Sequence, residues 1–296
     1  MKHISICICT FKRPHLLQRL LQELDGQLTK ELFTYSIIVV DNDCTQSAQQ
    51  VASNFADRSS IDIQYHVEPK QNIANARNRT LANAQGDYIA FIDDDEYPVQ
   101  TWLISLFETC EKYAVAGVLG PVMPDFEQDP PKWTTKGRFH ERPTHETGYQ
   151  LGLSEARTGN VLLRREILDG VVDAFGAEFG TGGEDVDFFR RMMNKGCTFI
   201  WCKDAIVYEI VPPSRCTRGY FLRRALLRGS NSLRQPSSRT WKLFKSFIAV
   251  LAYTLALPVL FVAGDHYFMK YLIKLCDHGG RILAFLSINP VVIRDP

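Results

Sequence analysis

Tyr88-Ile89-Ala90-Phe91-Ile92-Asp93-Asp94-Asp95-Glu96 is an apolar run that ends in four consecutive acids. The five apolar residues read as a buried strand. Carboxylates crowded at the tip of such a strand repel one another, and they need a cation or hydrogen-bond donors to compensate. A divalent metal with oxygen ligands is the natural partner. Open α/β sheets hold ligands at the carboxyl ends of their strands. The stretch therefore predicts a metal-assisted site at the carboxyl end of a sheet.

Working outward, Ile4 to Thr10 reads as a strand, and Pro14 opens a helix with Leu16, Leu17, Leu20, Leu21 and Leu24 at helical spacing. Tyr35 to Val40 is a second strand, Ser47 to Ala56 a helix and Ile61 to Val67 a third strand. Asn72 to Gln85 is a helix that Gly86 terminates, and the acidic strand comes fourth, before a helix near Val99 to Tyr113. This alternation predicts an α/β fold: a mostly parallel sheet with helices on both faces. Pro124 to Tyr149 reads as a long loop or lid, and loops of that length are often functional. Structure resumes at Thr158 to Leu163, then a helix runs from Gly182 to Asn194, and Thr198 to Ile210 is strand-like.

The chain has 296 residues, 45% apolar and 23% charged, with a formal net charge of +1. That is ordinary for a globular protein, and nucleic acid is not an expected partner. The charge is uneven, however. Ile210 to Gly264 contains no acid and nine bases: Arg215, Arg218, Arg223, Arg224, Arg228, Arg234, Arg239, Lys242 and Lys245. Such asymmetry points to a polyanionic partner or a membrane surface. The eight cysteines are scattered without zinc-ligand spacing and read as reduced thiols. The amino terminus enters a strand directly and lacks the apolar core of a signal peptide, so the catalytic part is expected in the cytoplasm.

Five motifs now fall in order: Thr10-Phe11-Lys12-Arg13-Pro14, Val39-Val40-Asp41-Asn42, Asn75-Ala76-Arg77-Asn78, Asp93-Asp94-Asp95 and Gly183-Glu184-Asp185. Asp-x-Asp alone is common, but the ordered set is specific. It resembles the family 2 glycosyltransferases, inverting enzymes of the GT-A fold, over roughly residues 3 to 230. Val211-Pro212-Pro213-Ser214-Arg215, with Arg223-Arg224 and Gly229, is similar to bacterial exopolysaccharide enzymes of the succinoglycan glucosyltransferase kind.

The resemblance implies a GT-A catalytic domain over 1–210, with a nucleotide-sugar half (1–98) and an acceptor half (115–210). A helical, membrane-associating region over 211–296 follows. It implies a nucleotide-sugar donor, a UDP-sugar, and a divalent cation, Mn2+ or Mg2+. By carry-over Asp95 is the direct metal ligand and Asp93 the ribose or metal-water contact, with Asp94 the middle residue of that nucleotide-binding run. Asp41 is implied to accept from the uracil N3–H, and Arg77 to meet the base or diphosphate. Arg13 joins them, and Thr10 and Phe11 contribute backbone contacts. Asp94 and Glu96 also suit the cap of a following helix. Asp185 is expected as the base that takes the acceptor's proton, with Glu184 the alternative base or an acceptor contact. Gly183 lets the backbone approach a ligand closely. Glu209 stands where related enzymes often carry histidine, and its oxygens suit a metal. Trp133 and Trp201 are candidates for stacking on sugar faces.

Ser246 to Ala263 is an uncharged run of 18 residues. As a helix it spans about 27 Å at ~1.5 Å per residue, against a bilayer core of about 30 Å. Pro258 would kink it, and basic residues flank it on both sides, including Lys270, Lys274, Arg281 and Arg294. A helix or helical hairpin lying in the inner leaflet is expected rather than a simple crossing. These C-terminal helices are also where a homo-oligomer would form. Arg215, Arg218, Arg223 and Arg224 suit the phosphates of a polyprenyl-diphosphate-linked glycan acceptor. The expected setting is the cytoplasmic face of the bacterial inner membrane.

Two other functions use similar parts. A sugar nucleotidyltransferase would want a glycine-rich loop after the first strand, where this chain has Thr10-Phe11-Lys12-Arg13-Pro14. A catalytically degenerate GT-A scaffold or glycan-binding protein would neither bind nor hydrolyse a nucleotide sugar.

Overall fold

The computed structural model describes residues 1–179, 182–232 and 239–288. Arg234 and Arg294 lie outside the described residues, as do the side chains of Arg239 and Lys242. The order begins β1 (Lys2–Thr10), α1 (Pro14–Leu24), β2 (Phe33–Asp41), α2 (Gln49–Ala56), β3 (Ile63–Val67), α3 (Ile73–Asn83), β4 (Tyr88–Phe91) and β5 (Glu96–Pro98). It continues α4 (Trp102–Tyr113), β6 (Gly117–Leu119), β7 (Val122–Phe126), α5 (Lys132–Gly137), β8 (Val161–Arg164), α6 (Glu184–Asn194), β9 (Phe199–Trp201) and β10 (Val207–Val211). Helices α7 (Arg218–Asn231), α8 (Arg239–Ala263) and α9 (Asp265–Phe285) follow.

The main sheet runs β3-β2-β1-β4-β8-β6-β9. β1 is parallel to β2 and β4, whereas β8 is antiparallel to both β4 and β6. The sheet is thus mixed, and its buried alternation shows why it is covered twice. Ile4, Ile6 and Ile8 face one core layer with Leu17, Leu20, Leu21 and Leu24 of α1. Cys7, Ile38 and Val40 face the other with Ala74 and Ala76 of α3 and Phe188 of α6. Each fully buried leucine contributes about 1.5–3 kcal/mol. Asn72 caps α3 by accepting from the Ala74 and Asn75 amides. That helix ends at Asn83 with Ala84 extended, so Gly86 lies beyond its end and does not terminate it. Chain order reverses at β1, between β2 and β4, and this switch point brings Thr10 and the acidic run to one edge.

Three further expectations change. No helix follows the acids directly: Glu96 begins β5 of a second sheet, β5-β10-β7, so Asp94 and Glu96 cap nothing. The segment 124–149 contains the end of β7 and all of α5, and α5 packs on α9. The stretch 198–210 is two strands in different sheets, because β9 pairs with β6 and β10 with β5 and β7. The eight cysteines are free thiols.

The C-terminal helices pack as a unit. α8 and α9 fold back on each other at Gly264, with Phe261 against Phe268 and Tyr253 against Tyr271 and His278. α7 crosses α9 at two glycines. A Cβ on Gly229 would lie 2.0 Å from the Asp277 carbonyl oxygen, and one on Gly280 would lie 2.2 Å from that of Leu226. Gly229→Ala should therefore force the helices apart and cost about 1–3 kcal/mol. Thermal and urea unfolding measure this, and an unshifted midpoint would exclude so tight a crossing.

Candidate active site

Several segments converge at the switch-point edge. Thr10 ends β1, and its hydroxyl donates to Asp94 Oδ2 at 2.8 Å. Phe11 is half-buried beside it. Arg13 Nη1 lies 3.3 Å from both Asp94 Oδ1 and Asp95 Oδ2. Arg215 Nη2 meets the same Asp95 oxygen at 2.8 Å. Compensation for the crowded acids thus comes first from guanidinium groups. It is incomplete for Asp94: burial, and then the charge on Asp95, push its carboxyl up to about 7, against Arg13 and Thr10. Glu96 is buried opposite Glu209 in the β5–β10 ladder. Burial, Asp93 and Glu209 raise its carboxyl well above the ordinary range.

Asp93 differs from its neighbours. Its side chain is 48% exposed, and its nearest cation, Arg77 Nη2, lies 3.5 Å away. Arg77 projects from α3, is buried, and forms its tight ion pair with Glu184 at the start of α6. It therefore ties the acidic strand end to the Gly183-Glu184-Asp185 turn. Gly183 adopts φ +101° at the N-cap of α6, a conformation that favours glycine. Asp185 is half-buried, and its Oδ1 accepts the Val186 amide at 2.7 Å. Among the described residues it has no ion-pair partner within 4.0 Å. Its charge nevertheless acts on Arg77, Asp93 and Arg157. Glu184 is a buried ion-pair partner, whereas Asp185 is the available carboxylate.

Several assignments change with the geometry. Asp41 is fully buried, and its oxygens accept from the Asp43 amide, the Ala48 amide and the Tyr65 hydroxyl at 3.0, 2.8 and 2.8 Å. It pins the β2–α2 loop. Glu209 accepts from Arg215 Nη1 at 3.0 Å on one oxygen and from Arg142 Nη2 at 2.8 Å on the other. Both oxygens are engaged by guanidinium groups, so it seats arginines rather than standing open to a metal. Arg215 lies in the acidic cluster itself, while Arg218 pairs with Asp265 of α9 at 2.9 Å and lies over the Trp133 ring. Trp133 packs with Phe139 and Phe221, joining α5 to α7. Trp201 is buried in the core.

Arg142 and Arg157 escape sequence reasoning. Arg142 comes from the irregular segment after α5 and has no periodic signal. Arg157 is half-buried; burial and Arg142 push its guanidinium below the ordinary arginine range, against Asp185, Glu96 and Glu209.

A divalent cation fits this edge in one way. Among the described residues no three His, Cys, Asp or Glu side chains converge as a ready cage. Magnesium-like ions commonly use one or two carboxylates together with substrate phosphates. Asp93 is half-exposed, and both arginines on Asp95 meet Oδ2, which leaves Oδ1. Gly159 keeps the space open, since a Cβ there would lie 3.1 Å from Asp93 Oδ2 and 3.0 Å from Glu96 Oε1. Asp93 and Asp95 suit that donor set.

Comparison with known proteins bears on the same edge. The model of glycosyl transferase family 2 matches residues 5–172, which include Thr10, Arg77 and Asp93 to Asp95 but not Asp185. The succinoglycan biosynthesis protein ExoM of Rhizobium meliloti (strain 1021) is 36% identical over 232 residues, 77% of this chain and 73% of that protein. Among solved structures, mannosyltransferase PcManGT from Pyrobaculum calidifontis, in complex with GDP-Man and Mn2+, superposes with TM-score 0.62 at 17% identity, covering 96% of this chain and 87% of that one. Residues 1–349 of S. aureus TarS, in complex with UDP-GlcNAc, superpose with TM-score 0.56 at 14% identity, covering 98% of this chain and 93% of that one. At these identities the superpositions establish the arrangement of sheet and helices.

Proposed function

Because the chain belongs to glycosyl transferase family 2, we propose that it moves a sugar, with inversion, from a UDP-sugar to a hydroxyl of a lipid-diphosphate-linked glycan in bacterial surface polysaccharide synthesis. The observation that carries the reading is the half-buried Asp185 carboxylate, free of an ion-pair partner among the described residues, beside the arginine-compensated Asp93–Asp95 edge. In the step, the acceptor oxygen bonds to the anomeric carbon while its proton passes to an Asp185 oxygen. The bond from that carbon to the diphosphate oxygen breaks, and the electron pair leaves with the diphosphate. Asp93 and Asp95 would hold a divalent cation, Mn2+ or Mg2+, which when bound supplies Lewis-acid charge to the leaving group. Arg13 and Arg215 bring guanidinium forks suited to phosphate oxygens. Glu184 keeps Arg77 in place between Asp93 and Asp185. Incubation with a panel of UDP-sugars and Mn2+ tests this. Slow UDP release without acceptor is expected, and neither binding nor release with any nucleotide sugar would reject it.

The acceptor reading is supported by the C-terminal helices. Leu243–Ala263 is long and apolar enough to cross a membrane, and only 6% of its most apolar window is buried. Phe244, Ile248, Leu251, Leu255, Val259 and Val262 recur at helical spacing and are each more than half exposed. α9 covers the other side. One apolar face, joined through α9 to an arginine-rich helix, suits the interface of an anionic inner leaflet. Wild-type protein should float with vesicles containing an anionic phospholipid. The Leu251→Glu/Leu255→Glu variant should partition about tenfold less, with UDP release in solution unchanged. Equal flotation of the two would remove α8 as the docking face.

A further inference from the structure

Arg142, Glu209, Arg215 and Asp95 form one continuous chain of charge, of which the transfer step above uses only Asp95 and Arg215. Arg142 comes from the segment after α5, Glu209 from β10, Arg215 from the turn before α7, and Asp95 from the turn between β4 and β5. All four side chains are at least three-quarters buried. Glu209 uses one oxygen for each arginine, at 2.8 and 3.0 Å, and Arg215 reaches past it to Asp95 at 2.8 Å. This is a fork with both prongs engaged, holding a fixed positive charge against the carboxylate best suited to a cation.

We infer that Glu209 is a positioning residue seating Arg142 and Arg215, and that Arg215 holds at Asp95 the positive charge that a divalent cation takes over once a nucleoside diphosphate is bound. The inference rests on the nucleotide and cation reading above. A cation arriving alone at Asp95 meets the Arg215 guanidinium at 2.8 Å, with Arg13 farther off at 3.3 Å, and like charges at such range repel. A diphosphate changes the balance, since its oxygens give the displaced guanidinium a bidentate partner of the same geometry. Cation and nucleotide should therefore bind with positive coupling, each raising the affinity for the other by the same factor. Arg215 also lies in the turn that leads into α7, so the exchange links the metal edge to the C-terminal helices.

Binding of Mn2+, read from the electron paramagnetic resonance signal of the free aquo ion, tests this with and without UDP. It needs no turnover. Arg215→Gln should bind Mn2+ alone about tenfold more tightly than wild type and lose most of the gain that UDP confers. Arg215→Lys should stay within about threefold of wild type, since it keeps the charge. Glu209→Gln should lower the UDP-dependent gain by about fivefold or more, and Glu209→Asp should restore part of it. A Glu209 that bound metal directly would instead weaken Mn2+ equally with and without UDP, and that result overturns the inference. So does Arg215→Gln with unchanged or weaker affinity for Mn2+ alone. If Arg215→Gln does not fold, the Glu209→Gln coupling decides. Failure of wild type to bind Mn2+ even with UDP rejects the cation reading, and the inference with it; the other two outcomes leave that reading standing.

Discussion

Asp185→Asn should lower sugar transfer by about 10²–10⁴-fold while nucleotide-sugar affinity stays within about twofold. Asparagine has nearly the same shape but cannot take up the acceptor's proton. The small effect on affinity follows from the contacts. Asp185 has no ion-pair partner among the described residues, and it accepts a hydrogen bond from the Val186 amide, so its loss strands no buried cation. Glu184 is the control. It is buried against Arg77, and its neutralisation should act on folding and donor binding together. Single-turnover transfer and titration with the donor separate the two. Full activity in Asp185→Asn, with loss in Glu184→Gln, would move the base to Glu184.

Arg77→Ala should destabilise the protein by about 3–5 kcal/mol. The change leaves Glu184 buried without its guanidinium and removes the nearest cation from Asp93. Removing one member of a buried pair costs more than removing both, because the survivor stays desolvated while losing its counter-charge. Arg77→Ala/Glu184→Ala should therefore recover part of the loss, and the two single changes should be strongly non-additive. Urea unfolding measures all three. A loss below about 1 kcal/mol in Arg77→Ala would mean that the pair does not hold α3 to α6.

The strands at the front of the chain were legible because their signal is local. Ile4, Ile6 and Ile8 alternate against Cys7, and the leucines of α1 recur at helical spacing, whatever the rest of the chain does. The acidic run was legible as a site for a related reason: four carboxylates at a strand tip need an answer wherever the chain goes. What answers them was not legible. Thr10, Arg13 and Arg215 reach Asp94 and Asp95 from places set by folding, and Arg142 comes from a segment without periodicity. Asp41 stands at the expected strand end, yet a loop amide two residues on and a tyrosine on the next strand draw its oxygens inward.

Sequence by itself determined the α/β order, the acids at a strand's carboxyl end, the Gly183-Glu184-Asp185 turn and the basic, apolar C-terminal helices. Each rests on neighbours within a turn or a strand, where spacing alone dictates which side chains share a face. Tertiary structure decided which charges meet. Arg77 finds Glu184 across 107 positions, and Arg215 finds Asp95 across 120. Charge pairing depends on distance in space and on exclusion of water, and neither is set until the sheet and its helices close around the edge.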